Sequence, residues 1–250
     1  VQQKTGSEEY RKLAEELVEK SQVLIKNEND ILPFKSGTKI FVTGPALDDS
    51  GIQCGGWTRD WNGRSDKHWS GEFIQGTTTI LEGLEQVADE YNLTIITDEN
   101  LASEADVTLL CLGETPYAEW NGDTADLSIT GSHGAEGNKQ SIELAKSIGK
   151  PTVTLIVAGR NVIIEEYKDD WDAIVMCGLL GTEGKGVANV LSGDAEFSGK
   201  RRILLLQEIE YHLTEDTVGK EIASWNVSGD EPAFRVLGNP EISRDPYTLS

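Results

Sequence analysis

The fold class follows most directly from one almost uninterrupted apolar run, Val107-Thr108-Leu109-Leu110-Cys111-Leu112. A strand that is half exposed alternates apolar and polar residues, whereas a strand covered on both faces is apolar throughout. The run therefore predicts a strand in the interior of a sheet that has helices on both sides.

Predicted strands and helices alternate on either side of this run. Strands are predicted at 39–43, 93–97, 152–157 and 173–177, and helices after Ser7 and at 79–91, 138–148 and 183–191. Because alternating strands and helices build a mostly parallel sheet, we predict an α/β fold, a three-layer α/β/α sandwich of the flavodoxin-like kind.

The loop after the first of these strands carries candidate sugar-binding residues. In such sheets, ligands bind in the loops beyond the carboxyl ends of the strands. This loop reads Gly55-Gly56-Trp57-Thr58-Arg59-Asp60-Trp61-Asn62-Gly63. Indole faces pack on the apolar faces of a sugar ring, while charged groups bind its hydroxyls. Trp57, Trp61, Asp60 and Arg59 are therefore candidates, the alternative being that both tryptophans pack in the core.

The loop that follows the apolar run carries candidate proton donors. Glu114, Glu119 and Asp123 lie there among aromatic residues. A carboxyl group that protonates a glycosidic oxygen needs a raised pKa, which apolar surroundings and neighbouring negative charge supply. The alternative for each of the three is a solvated surface carboxylate.

A third loop, residues 178–186, is rich in glycine and resembles a phosphate-binding loop at a helix N-terminus. It matches neither the dinucleotide fingerprint nor the nucleotide P-loop spacing. Glu183 would compete for the anion position, so tight backbone packing is the favoured interpretation. No Gly-x-Ser-x-Gly elbow is present, which disfavours a serine hydrolase.

The charge balance and the scattered histidines and cysteines exclude several classes of function. With 22 basic and 43 acidic residues the net charge is −21, which repels nucleic acid and anionic membrane surfaces. Cys54, Cys111 and Cys177 form no disulfide framework, and with the three histidines they lack the spacing of a metal site. We predict no cofactor and no metal.

Neither a membrane span nor a signal peptide is predicted. No apolar run approaches the roughly 20 residues that a transmembrane helix needs, and Val1 is not followed by a signal-peptide pattern. We expect a soluble chain, cut from a longer protein because it begins with Val1, and either a cytoplasmic or a secreted location remains open.

Several short motifs occur in a specific order along the chain. They are Val23-Leu24-Ile25-Lys26-Asn27-Glu28 with Ile31-Leu32-Pro33, Gly55-Gly56-Trp57-Thr58, Pro116-Tyr117-Ala118-Glu119, Gly159-Arg160-Asn161-Val162 and the glycine-rich 178–186 and 193–200. Together they closely resemble the second domain of family 3 glycoside hydrolases over about residues 7–200. The resemblance implies a six-stranded sheet docked against an N-terminal (β/α)8 barrel, with the active site between the two domains.

The resemblance also implies a division of catalytic roles. The nucleophilic aspartate of the family lies on the barrel, while the acid/base glutamate of members similar to plant β-glucan exohydrolases matches Glu119. The sugar clamp matches Trp57 and Trp61, with Trp61 on the leaving-sugar side, and Arg59 and Asp60 lie beside the motif. We expect this chain to supply half of the active site of a retaining, exo-acting β-glucosidase or β-glucan glucohydrolase, and to be inactive alone.

Two other functions and the nature of the C-terminal segment stay open at this point. A noncatalytic carbohydrate-binding or assembly module would use the same loops without a nucleophile, and a nucleotide-binding protein would use residues 178–186. We predict the α/β domain at residues 1–200. The resemblance stops after Lys200, so residues 201–250 are predicted to be a divergent tail, an appended segment or a reading-frame artefact, without site residues.

Overall fold

The computed structural model describes residues 6–200 of the 250-residue chain, so the tail predicted at 201–250 lies outside the described residues. Five α-helices and six β-strands follow one another in this range. In chain order they are α1 Glu8–Ser21, β1 Val23–Asn27, β2 Lys39–Thr43, α2 Ser50–Cys54, α3 Ile80–Ala88, β3 Thr94–Ile96, β4 Val107–Gly113, α4 Asn138–Ile148, β5 Thr152–Val157, β6 Ala173–Met176 and α5 Lys185–Ser192.

The six strands form one sheet in the order β1-β6-β5-β4-β2-β3. Strands β2 to β6 run parallel to their neighbours, and only β1 is antiparallel, on β6. All residues of β4 are buried, as expected of the interior strand that the apolar run predicts. The predicted α/β fold with a mostly parallel six-stranded sheet is confirmed.

Helices cover both faces of the sheet. Ile40 and Val42 of β2 face the helices α1, α3 and α5, in a core that includes Val18, Leu84 and Leu191. Phe41, between them, points to the opposite face, where it packs with Ile96 and with Leu144 and Ile148 of α4. Successive residues of a strand point to opposite faces, so both faces of β2 are apolar because both are covered.

Strand β1 was not among the strands predicted from periodicity. It follows α1 after the single residue Gln22, and its sequence Val-Leu-Ile-Lys-Asn is half-buried at every position. Its pairing with β6 is irregular between Leu24 and Lys26, and the Lys26 ammonium donates hydrogen bonds to the carbonyl oxygens of Lys168 and Trp171. An edge strand that is stabilised by its hydrogen bonds to β6 and by a lysine has little alternation of apolar and polar residues in its sequence.

Helix α3 begins with a capping box and ends earlier than predicted. The Thr79 hydroxyl accepts from the Glu82 amide, and the Glu82 carboxylate accepts from the Thr79 amide. The helix ends at Ala88 rather than near Tyr91, because the chain turns at Asn92, which has a left-handed φ of 53°. In residues 6–200, no helix has the length and apolar content required to cross a bilayer.

Candidate functional site

The loops after β2 and β4 contact each other at the carboxyl edge of the sheet. The side-chain oxygen of Asn62 accepts hydrogen bonds from the Ala118 amide, at 3.3 Å, and from the Asn121 side chain, at 2.9 Å. A β-carbon at Gly56 would lie 2.0 Å from the carbonyl oxygen of Tyr117, so only glycine fits there. The predicted sugar-binding residues and the predicted proton donor thus lie on two loops that form one continuous surface.

Glu119 lies on the exposed side of this surface. It is the first residue of a short 3₁₀ turn, Glu119–Gly122, and its φ is 49°, in the left-handed region that glutamate rarely adopts. Its side chain is exposed, and within the described residues its carboxylate has neither a hydrogen-bond nor an ion-pair partner. The turn therefore presents an uncommitted carboxylate to the exterior of the domain.

Three tryptophans are exposed on the same two loops. Trp57, with a φ of 91°, is 68% exposed, and Trp61 is 41% exposed, so neither packs into the core. The third, Trp120, follows Glu119 and is 65% exposed. Its ring centroid lies 4.8 Å from that of Trp61, with the planes tilted by 54°. Trp120 was not predicted as a site residue from the sequence, although its position next to Glu119 could have indicated it.

Arg59 and Asp60 are engaged within their own segment of the chain. The Arg59 guanidinium lies over the Trp69 ring, 4.8 Å from its centroid, and donates to the Phe73 carbonyl at 3.2 Å. One Asp60 oxygen accepts from the Gly63 amide and the other from the Arg64 guanidinium, both at 2.7 Å. These contacts shape the loop that carries Trp57 and Trp61, and a contact of either residue with a sugar stays a prediction.

The three carboxylates of the second loop have different surroundings. Asp123, like Glu119, is exposed, whereas Glu114 is only 5% exposed. One oxygen of Glu114 accepts two hydrogen bonds from the Arg160 guanidinium, at 2.7 and 2.9 Å, and the other accepts from the Tyr117 hydroxyl at 3.0 Å. Burial, and then the negative charge of Glu114, raise the pKa of the Tyr117 hydroxyl. Both oxygens of Glu114 are therefore committed to internal partners.

A buried polar network supports the first loop from below, and it was not predicted from the sequence. The Asp49 carboxylate accepts from the Ser65 hydroxyl and from the amides of Ile52 and Asp66. The Asp66 carboxylate in turn accepts from the amide and the hydroxyl of Ser50. Burial is the main cause that raises the pKa of Asp49. The network ties the start of α2 to the end of the loop that carries the tryptophans.

The glycine-rich third loop is packed against its neighbours. Glu183 is 4% exposed, and its carboxylate pairs with Arg11 of α1 at 3.2 Å. A β-carbon at Gly184 would lie 2.6 Å from the Thr79 backbone. The Gln53 side chain donates to the carbonyl oxygens of Thr78 and Gly181. A buried carboxylate at the start of α5 already occupies the place of an anion, which agrees with the packing interpretation.

The part of the chain that the structure describes contains no group of side chains that could bind a metal ion. Within residues 6–200, no three or more histidine, cysteine, aspartate or glutamate side chains are grouped to hold an ion. The cysteines in this range, Cys54, Cys111 and Cys177, are free thiols. The exposed side chains of the site surface include the carboxylates and aromatic rings described above.

Comparison with known proteins gives one family. A sequence model described as the glycosyl hydrolase family 3 C-terminal domain matches residues 22–221, which continues past Lys200 into the segment predicted to be divergent. Among curated proteins, the chain is 29% identical over 217 residues to a lysosomal beta glucosidase of Dictyostelium discoideum, and 24% identical over 256 residues to a beta-xylosidase of Formosa agariphila.

These relatives are much longer than the chain. The matches cover 78% and 92% of the chain but only 25% and 34% of the relatives, so the chain spans about a quarter to a third of their length. Among solved structures, the exo-1,3/1,4-beta-glucanase of a Pseudoalteromonas species aligns with a TM-score of 0.67 and 31% identity. That alignment covers 78% of this chain and 25% of the glucanase.

Proposed function

The chain belongs to the glycosyl hydrolase family 3 C-terminal domain family, and from this membership we propose that it supplies half of a divided active site. The enzyme is a retaining, exo-acting β-glucosidase or β-glucan glucohydrolase. Glu119 is its general acid/base, and Trp57 and Trp61 bind the sugar, with Arg59 and Asp60 beside them. The nucleophile is an aspartate of an N-terminal (β/α)8 barrel that faces this surface.

The observation that carries the proposal is the backbone conformation of two site residues. Five residues other than glycine have a positive φ in the described range, and three of them are asparagine or aspartate, which tolerate it. The other two are Trp57 and Glu119. Strained conformations of such residues cluster at functional sites, and both residues belong to the family motifs.

The surroundings of Glu119 suit a proton donor that is completed by a partner domain. Its carboxylate is exposed and unpaired among the described residues, whereas the nearby Glu114 is buried and committed to Arg160 and Tyr117. A partner domain over Glu119 would enclose this carboxyl group together with the substrate and exclude water from them. Docking of the barrel thereby completes the site around the acid.

A retaining mechanism assigns two tasks to Glu119. The barrel aspartate attacks the anomeric carbon while Glu119 donates its proton to the departing oxygen, and the two carboxyl groups are about 5 Å apart. Glu119, now a carboxylate, then takes a proton from the water that hydrolyses the glycosyl-enzyme. The exposed rings of Trp57 and Trp61 hold the sugars in the orientation that both steps require.

The proposal is tested with Glu119→Gln in the polypeptide that joins this domain to its barrel. For aryl β-glucosides with poor leaving groups, kcat/KM should fall by about 10²- to 10⁴-fold, which is the usual contribution of a general acid. With a 2,4-dinitrophenyl leaving group, which departs without a proton, kcat/KM should change little, and azide should raise kcat. A uniform small loss on all substrates would contradict the role of Glu119.

A further inference from the structure

We infer that Arg160 is the positioning residue for the proton donor: its guanidinium joins the two ends of the segment 114–122 and so fixes where Glu119 is presented. The inference rests on the function proposed above. Arg160 does not touch the substrate in this account, because it acts through the segment that carries Glu119.

The geometry of Arg160 closes this segment into a ring. Its Nε and Nη2 atoms donate to one oxygen of Glu114 at 2.9 and 2.7 Å, and Nη1 donates to the Gly122 carbonyl at 2.6 Å. Glu114 is the first residue of the segment and Gly122 is the last of the turn that Glu119 begins. One side chain therefore spans the chain on both sides of the proton donor.

The interior of the ring is filled by Tyr117. The Arg160 guanidinium lies 4.7 Å from the centroid of the Tyr117 ring, and the Tyr117 hydroxyl donates to the second oxygen of Glu114. A β-carbon at Gly122 would lie 2.4 Å from the same ring, so the turn is held directly against it. Arg160, Glu114, Tyr117 and Gly122 form a closed set of contacts around the base of the turn.

The ring is anchored to the sheet through two adjacent strands. Glu114 follows β4 directly, and its amide donates to the carbonyl oxygen of Val157, the last residue of β5. Arg160 lies three residues beyond Val157 on the loop from that neighbouring strand. These contacts fix the position of Glu119 relative to the central strands of the sheet. A catalytic group that is anchored to rigid elements is held more precisely than one on an exposed loop alone.

Only arginine has the donors for this arrangement. Its planar fork makes three hydrogen bonds in two directions, whereas a lysine ammonium is a point charge that cannot keep the same set. Arg160→Lys should keep the charge beside Glu114 and lose the connection to Gly122. Arg160→Ala should lose both and leave a space that an external guanidinium ion can enter, since the Arg160 side chain is 21% exposed.

The test compares Arg160→Ala and Arg160→Lys with Glu119→Gln in the polypeptide that includes the barrel. The readout is the dependence of kcat/KM on the leaving group of aryl β-glucosides. Arg160→Ala should lower kcat/KM about 100-fold for poor leaving groups, the cost of a displaced catalytic group, and change it little for 2,4-dinitrophenyl glucoside. Arg160→Lys should show a smaller loss of the same pattern, and guanidinium chloride should restore activity to Arg160→Ala alone.

Arg11→Ala is the matched control, because Arg11 also pairs with a buried glutamate, Glu183, but lies on α1. It should lower the melting temperature without any dependence on the leaving group. Equal losses on all substrates in both Arg160 variants would overturn the inference while leaving Glu119 as the acid/base. If Glu119→Gln itself lacks the dependence, the proposed function fails and this inference fails with it. If Arg160→Ala does not fold, the leaving-group dependence of kcat/KM in Arg160→Lys decides whether the inference holds.

Discussion

The rings of Trp61 and Trp120 lie in contact, with their centroids 4.8 Å apart, although the two residues belong to loops that follow different strands. Both rings keep a large exposed area, 41% for Trp61 and 65% for Trp120. Their planes are tilted by 54°, so the exposed faces meet at an angle rather than forming one flat plate. If Glu119 is the proton donor proposed above, such a corner beside it suits the sugar that leaves after the glycosidic bond breaks.

We predict that Trp61→Ala and Trp120→Ala each weaken binding of the leaving sugar. The KM for a glucose disaccharide should rise about 2- to 10-fold, which corresponds to the 0.5–1.5 kcal/mol of an aromatic contact. The KM for methyl β-glucoside should stay near its original value, because a methyl group is too small to reach the corner. Steady-state kinetics of both substrates provides the measurement.

Leu101→Ala is the control for these two variants. Leu101 is 45% exposed and lies in the short 3₁₀ helix Glu99–Glu104, outside both loops of the site. It should leave the ratio of the two KM values unchanged. An equal rise in KM for the disaccharide and the methyl glucoside in Trp61→Ala would contradict the assignment of the corner to the leaving sugar.

We predict that Gly56→Ala separates the two loops of the site. The new methyl group would lie 2.0 Å from the Tyr117 carbonyl oxygen, and backbone must move to relieve that contact. Overpacking of this kind costs about 1–3 kcal/mol, so the free energy of unfolding in urea should fall by that amount. Gly159→Ala is the milder control, since its methyl group would meet the flexible Leu179 side chain at 3.3 Å. Equal stability of the two variants would show that the loops are not in contact.

We predict that Cys54 is a slow nucleophile in the folded chain. Burial raises the pKa of its thiol from 9.0 to about 11, and the thiol donates to the Gly181 carbonyl at 3.1 Å. Because the thiolate is the reactive form, alkylation by iodoacetamide should show a midpoint near pH 11 in the folded chain and near pH 9 in urea. Cys54→Ser gives the background from Cys111 and Cys177, which are buried.

The same shift has a defined effect on stability. The unfolded chain loses the Cys54 proton at a lower pH than the folded chain, so the contribution of this thiol to stability is complete below about pH 9 and is lost as the pH rises toward 11. The urea midpoint of Cys54→Ser should therefore depend less on pH in this window than that of the parent chain. An alkylation midpoint near pH 9 in the folded chain would contradict both statements.

The interior of the fold was predictable because its buried strands are continuous apolar runs and its helices repeat apolar residues at helical spacing. Helix α4 and strands β2 and β5 occur at the predicted bounds, and β4 is apolar because both of its faces are covered. Strand β1 was missed because an edge strand of mixed composition derives its stability from pairing with β6, which no local pattern records. The end of α3 was missed because the chain turns over residues 89–92, where Asn92 adopts a left-handed conformation.

Candidate site residues could be named from motifs in the sequence, whereas the contacts among them could not. Motifs selected Trp57, Trp61 and Glu119, and the structure brings their two loops into contact through Asn62. The pairing of Glu114 with Arg160 spans 46 positions and depends on the order of β4 and β5 in the sheet. No rule of sequence spacing connects residues so far apart in the chain. The contact between Trp120 and Trp61 could not be predicted for the same reason.

The central claim is that this surface provides the proton donor and that the nucleophile lies on another domain. Hydrolysis of an aryl β-glucoside by the 250-residue chain, with Glu119→Gln as the control, tests it most directly. We expect no turnover by either chain alone, and turnover by the parent chain but not by Glu119→Gln when each is joined to the barrel. Turnover by the chain alone that disappears in Glu119→Gln would mean that a nucleophile lies within these residues, which would contradict the division of the active site.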